Sequence, residues 1–164
     1  MRGQTLLELL LVLAVLAVLG GLAAPTLRHF ALDLGRDATV DELARGLALA
    51  RVTAQATGVT AQLCRASAKA ATTNGTGSAA GCLDAVGEWT DGWQVAASGV
   101  LRHGSPASGQ RLFGNRGSIY FSPSGAATPV TLVVCDLRGS AFARSLVVSR
   151  SGRVRTTNGG ASCG

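Results

Sequence analysis

Residues 9–24, LLLVLAVLAVLGGLAA, carry no side chain that can ionise or donate a hydrogen bond. A helix that is apolar on every side cannot lie on the surface of a water-soluble domain; it has to be covered by lipid or by other helices. Over residues 6–24 an α-helix would rise about 28 Å, close to the thickness of the hydrocarbon core of a bilayer. The run follows only eight residues, with one base, Arg2, among them, and proline at position 25 makes the Ala23-Ala24 end a poor site for signal-peptide cleavage. The segment therefore reads as one that stays on the protein. An acid, Glu8, sits at its start among Leu6, Leu7, Leu9 and Leu10. A carboxylate at the centre of a membrane helix costs roughly 2.5 to 3.5 kcal/mol, and less near the interface, so Glu8 calls for a partner.

The rest of the chain has a different texture. The 164 residues are 47% hydrophobic, but only 4% are aromatic and 15% charged, and outside the apolar run the chain is polar and glycine-rich. That is the composition of one ordinary domain attached to an apolar segment, and it excludes both a multi-domain and a wholly disordered chain. Fourteen of the fifteen bases are arginine, whose planar fork suits phosphate or carboxylate. They are placed unevenly: residues 100–164 hold eight arginines and a single acid, Asp136, whereas residues 1–99 carry a net charge of −1. An anionic partner is expected to meet the C-terminal half.

After Pro25, apolar residues recur at Leu27, Phe30, Leu34, Val40, Leu43, Leu47, Ala50 and Ala54, the pattern of an amphipathic helix that continues to about Thr57, where Gly58 supplies a stop. Its apolar stripe is expected to pack on a following sheet. Gly35 and Gly46 weaken the helix, and Asp41 with Arg45 forms a favourable i,i+4 pair. Beyond Gly58, short β-prone runs are broken by glycine, serine and proline, with strands expected at 59–65, 93–97, 118–122, 130–136, 143–150 and 153–156. Residues 66–81, rich in alanine, threonine, glycine and serine, read as a mobile loop. Trp89 and Trp93 could stack on bases, but two tryptophans in so aromatic-poor a domain are expected in the core.

No catalytic constellation emerges: the sequence has no GxSxG, its acids are dispersed, and His103, expected in a loop, is the one plausible base of the globular part. The chain reads as a non-enzyme without cofactor. The four cysteines, Cys64, Cys82, Cys135 and Cys163, include no CxxC, which argues against a metal site and for disulfides in an exported domain. Four cysteines allow three pairings and the sequence does not choose among them; Cys64 with Cys82 and Cys135 with Cys163 is the expected arrangement, since each pair brackets one segment and the second fastens the C-terminus.

The richest signal is Ser149-Arg150-Ser151-Gly152-Arg153-Val154-Arg155-Thr156. In a strand, residues two apart point the same way, so Arg153 and Arg155 share a face while Val154 turns to the core. A turn at Ser151-Gly152 would bring Arg150 alongside them, giving three guanidinium forks suited to the phosphates of a nucleic acid.

Taken together, Gly3-Gln4-Thr5-Leu6-Leu7-Glu8 ahead of an apolar run resembles the class III signal of type IV pilins and pseudopilins. The resemblance implies cleavage by a prepilin peptidase between Gly3 and Gln4, with Gln4 standing where most members have phenylalanine or methionine and becoming the methylated N-terminus. It also implies that Glu8 meets the freed amino terminus of a neighbouring chain and sets the register of filament assembly, and that Pro25 kinks the helix. Trp89-Thr90-Asp91-Gly92-Trp93, Ser118-Ile119-Tyr120-Phe121-Ser122-Pro123-Ser124-Gly125 and Cys135-Asp136-Leu137-Arg138-Gly139 resemble the globular domain of the GspH/FimT branch of minor pilins, and Gly152-Arg153-Val154-Arg155 is similar to the GRxR pattern of its FimT-type members, which are associated with DNA capture in natural transformation.

The resemblance implies an α+β, type IV pilin-like fold: a leader at 1–3, a transmembrane and filament-core helix at 4–25, an amphipathic helix at 26–58 and an antiparallel β-rich domain at 59–164 that ends in the arginine hairpin. The function it implies is that of a minor pilin, held in the inner membrane with its globular domain periplasmic and then carried to the cell surface in a pilus. Its partners would be double-stranded DNA, other major and minor pilins and the prepilin peptidase. The alternative is a GspH-like minor pseudopilin of a type II secretion system, which shares signal and domain.

Overall fold

The computed structural model describes residues 6–66, 82–89, 91–159 and 162–163. Gly3 and Gln4 lie outside the described residues, as does all but the first residue of the loop expected at 66–81. The chain divides into two compact units, Met1–Leu34 and Gly35–Gly164.

The first unit is helical, formed by the N-terminal part of α1 (Leu6–Thr57). None of its described side chains is buried. Leu6 and Leu7 are 76% and 74% exposed, and the leucines and valines at 9–19 are exposed as well. Glu8 lies in the first turn, also exposed. Among the described residues no single helix is long and apolar enough to cross a membrane; Leu6–Gly21 and Thr26–Thr57 qualify only as a broken pair. Leu6–Gly21 alone rises about 24 Å, short of the roughly 30 Å of a hydrocarbon core.

In the second unit the helix buries Val40, Leu43, Leu47, Ala50 and Ala54, spaced three and four apart. The stripe expected from Leu27 onward is therefore split. Leu27, Phe30 and Leu34 are exposed and belong to the first unit, because helical periodicity identifies a face that wants cover without saying where the cover ends. Gly46, read as a weak point, has a positive use. A Cβ there would stand 3.1 Å from Leu63 Cδ1 and 3.3 Å from Trp93 Nε1, so its absence lets the helix approach the sheet closely. Arg45 donates through Nε to the Asp41 carbonyl, so the i,i+4 contact is with the main chain and not with the carboxylate. Gly58, at φ +68°, donates its N–H to the Ala54 carbonyl and ends the helix.

The described residues then form two antiparallel sheets. In the first, β1 (Ala61–Ala66) pairs with β4 (Trp93–Ala96) and with β7 (Ser118–Phe121), β2 (Cys82–Leu83) joins the end of β1, and β5 (Val100–Gly104) lies outside β4. The second runs in the order β10 (Val154–Asn158), β9 (Arg144–Val148), β8 (Val130–Cys135), β6 (Arg111–Gly114), β3 (Gly87–Glu88). Alternation along the strands sends Leu132 and Val134 into one core shared with the helix stripe, Leu63, Trp89, Trp93, Ile119 and Phe121. The residues between, Val133 and Cys135, turn the other way and build a small second cluster with Ala143, Phe113 and Cys163.

The result is a type IV pilin-like α+β fold. The six expected strands are present, with ends shifted by one or two residues; β2, β3, β5 and β6 were not anticipated. His103 sits in β5 and not in a loop. The structure joins Cys64 to Cys82 and Cys135 to Cys163.

Candidate nucleic-acid interface

The turn between β9 and β10 is built from Ser149-Arg150-Ser151-Gly152. Gly152 N–H donates to the Ser149 carbonyl at 2.9 Å, Ser149 N–H donates to the Arg153 carbonyl at 3.0 Å, and the Ser149 and Ser151 hydroxyls share a hydrogen bond at 2.9 Å. The same device occurs at Ser122-Pro123-Ser124-Gly125: Gly125 N–H donates to the Ser122 carbonyl at 2.8 Å, Ser122 N–H to the Ala126 carbonyl at 2.9 Å, and the two serine hydroxyls meet at 2.8 Å. Two copies of an S-x-S-G turn thus pack against each other, with Ala127 N–H donating to the Arg150 carbonyl at 2.8 Å. Both glycines need their missing side chain. Gly125 lies at φ +81° and Gly152 at φ +72°, and a Cβ on Gly152 would run into the Gly125 carbonyl oxygen.

The helix holds this corner in place. Arg51 Nη1 donates to the Gly152 carbonyl at 3.1 Å, and a Cβ on Gly125 would meet Gln55 Nε2 at 2.7 Å. Replacing Gly152 by alanine is therefore expected to lower stability by about 1 to 3 kcal/mol, the range for a residue forced into a sparsely allowed backbone region, with the collision adding to it. Chemical denaturation of the two proteins measures the difference; equal midpoints would show that the turn relaxes freely.

The structure sorts the arginines by whether an acid neutralises them. Arg111 makes two hydrogen bonds of 2.8 Å to the Glu88 carboxylate, and Arg138 reaches Asp136 at 2.6 Å. The hydrogen bonds from Arg111 and Arg138 hold the Glu88 and Asp136 carboxyls below the usual carboxylate range, so both acids stay charged into mild acid. Asp37 stands 3.4 Å from Arg144 and 3.5 Å from Arg36, and Glu42 3.9 Å from Arg102. Among the described residues, no acid forms an ion pair with Arg150, Arg153 or Arg155.

Those three side chains are exposed, Arg150 in the turn and Arg155 on β10 opposite Val147, while Val154 is half-buried against the core. Arg153 enters the strand one residue before Val154 and so shares a face with Arg155. Strand β10 is the outermost of its sheet. Arg153 and Arg155 direct their carbonyls or amides to β9, so by alternation those of Val154, Thr156 and Asn158 point outward from the sheet edge. Among the described residues the site is thus a cationic rim without an acid partner, beside a sheet edge whose outward N–H groups can donate to an anion such as a phosphate.

Residues 39–152 match the family model described as type II transport protein GspH. The chain belongs to the GspH family. No curated protein matches it. Its fold is similar to that of the type IV minor pilin FimU of Pseudomonas aeruginosa strain PAO1 in two crystal forms: one at 18% identity and TM-score 0.57 over 77% of this chain and 98% of that one, the other at 17% and 0.61 over 82% and 98%. The minor pseudopilin EpsH of the Vibrio cholerae type 2 secretion system is similar at 13% identity and TM-score 0.52, over 75% of this chain and 96% of that one. The chain thus has GspH-family membership and a fold similar to that of a minor pilin and a minor pseudopilin.

Within this GspH-family fold, Arg150, Gly152, Arg153 and Arg155 come together at one turn and the strand that leaves it. The matched span ends at Gly152, so Arg153 and Arg155 follow it immediately. Trp89 and Trp93 are 0% and 1% exposed and cannot stack on a nucleic acid. Reading the sequence alone missed Arg51, which supports the turn from 101 residues away, and missed that the S-x-S-G pattern occurs twice. The second of these was visible in the letters.

Proposed function

We propose that this GspH-family chain is a minor pilin that enters a filament through its N-terminal helix and binds double-stranded DNA without sequence preference through Arg150, Arg153 and Arg155, for uptake in natural transformation. The observation that carries the reading is that, among the described residues, no acid pairs with these three exposed arginines, in a fold where acids meet Arg102, Arg111, Arg138 and Arg144. Guanidinium groups on one rim grip successive phosphates, and the motif offers no recognition helix or amide side chain to read base edges. The uncovered apolar surface at 6–19 supports a helix that lives in the inner membrane before assembly and among the helices of other major and minor pilins afterwards. In this reading, prepilin peptidase cuts between Gly3 and Gln4, and Glu8 sets the register in the filament.

The second reading, a minor pseudopilin of a type II secretion system, is favoured by the description of the matching family itself. Duplex binding separates the two. The full chain in detergent is expected to shift duplexes of unrelated sequence alike at low salt and to release them as salt rises. Absence of any shift at low salt would leave the secretion reading.

A further inference from the structure

Arg116, in the link between β6 and β7, is exposed, and its Nε donates to the Pro129 carbonyl at 3.1 Å. Pro129 directly precedes β8. Val130 faces Val148 on β9, and Val148 faces Val154 on β10. Continuing the same rows by one residue places Pro129 next to Ser149, whose N–H is bonded to the Arg153 carbonyl. A row therefore crosses the sheet from Arg153 through Ser149 to Pro129, and Arg116 is fastened to its far end. Neighbouring strands are about 4.8 Å apart, so Pro129 stands about 10 Å from Arg153 across the sheet. The hydrogen bond from Ala127 N–H to the Arg150 carbonyl ties the 127–129 segment to the arginine turn, which fixes that spacing. Pro129 is exposed, Ser149 is half-buried, and among the described residues no acid forms an ion pair with Arg116.

Arg116 is thus anchored about 10 Å across the sheet from the Arg153 backbone, a spacing that falls between the about 6 Å width of the minor groove and the about 12 Å width of the major groove of B-form DNA. We infer that Arg116 grips the strand opposite the one held by Arg153 and Arg155, so that the rim clamps a duplex across a groove. This rests on the DNA-binding reading above and adds selectivity for two strands over one. The Nε bond to Pro129 leaves both terminal nitrogens of Arg116 for the phosphate.

The test uses the full chain in detergent, a 20-base-pair duplex and one of its strands alone, each titrated at several salt concentrations. Arg116→Gln is expected to lower the duplex slope of log affinity against log salt by about 0.9, one phosphate contact, and to leave single-strand affinity within about twofold of wild type. Arg116→Lys keeps the charge and is expected to restore most of the duplex slope. If Arg116→Gln leaves the duplex slope unchanged while Arg153→Gln reduces it, or if it weakens both forms equally, the clamp is overturned and the DNA-binding reading stands. If the wild type binds neither form, both fall.

Discussion

Glutamine at both Arg153 and Arg155 is expected to lower the slope of log duplex affinity against log salt by nearly 2. Each arginine that neutralises a phosphate releases condensed counterions worth about 0.9 of slope on B-form DNA. If variant and wild type converge near 1 M salt, the same arithmetic makes the variant about 60-fold weaker at 0.1 M. The fold should survive, since both side chains are exposed, neither has an acid in the described structure to leave unpaired, and Val154 keeps its packing between them. Arg28, exposed on the N-terminal helix, is the proper control and should change little. Arg36 looks equivalent in the sequence but is not. It is 8% exposed, donates to the Phe142 carbonyl at 2.8 Å and stands beside Asp37, so its loss would damage the fold and imitate a binding defect. A double variant that held duplex DNA as tightly as wild type, with an unchanged slope, would end the DNA reading and favour the secretion filament.

What could be read from the letters and what could not divide along physical lines. The buried stripe Val40, Leu43, Leu47, Ala50 and Ala54 was legible because helix period and core burial coincide there. Strands β8 and β9 were legible because valine and leucine dominate them. β5 was not: Val100, Leu101, Arg102 and His103 are all exposed, so an edge strand without a buried face leaves no alternation to detect. Charge was legible only in bulk. The sequence places a large positive excess in residues 100–164, but Asp37, Glu42 and Glu88 come from the other half and remove much of it through the fold. Among the described residues, the arginines of that half left without an acid are Arg116 and the three at the β9–β10 turn, Arg150, Arg153 and Arg155. Gly46 shows the same limit from the other side, since a residue unfavourable for the isolated helix leaves room for two neighbours distant in sequence, Leu63 and Trp93.

The other large effect concerns stability and should leave binding untouched. Cys135 and Cys163 are bonded, 28 residues apart in sequence, and the loop they close contains the arginine turn. The chain-entropy estimate for closing such a loop is about 3.6 kcal/mol. Replacing both by alanine removes that restraint on the unfolded chain and also thins the small cluster of Val133, Ala143 and Phe113 around the bridge. The expected result is a fall of about 10 °C or more in the unfolding midpoint, given a few degrees per kcal/mol for a domain of this size. The arginine turn should not feel it. Cys135 is the last residue of β8 whereas Val130, its first, is the one that faces Val148 beside the turn, so the bridge and the rim lie about 17 Å apart along the strand. The rim is held by Arg51, by the twin glycine turns and by pairing with β9, none of which involves the bridge. The alanine pair measured below its own midpoint should therefore keep the wild-type salt slope on duplex DNA. An unchanged midpoint would show that the bridge restrains little, and a reduced slope in the folded variant would show that the C-terminus takes part in binding.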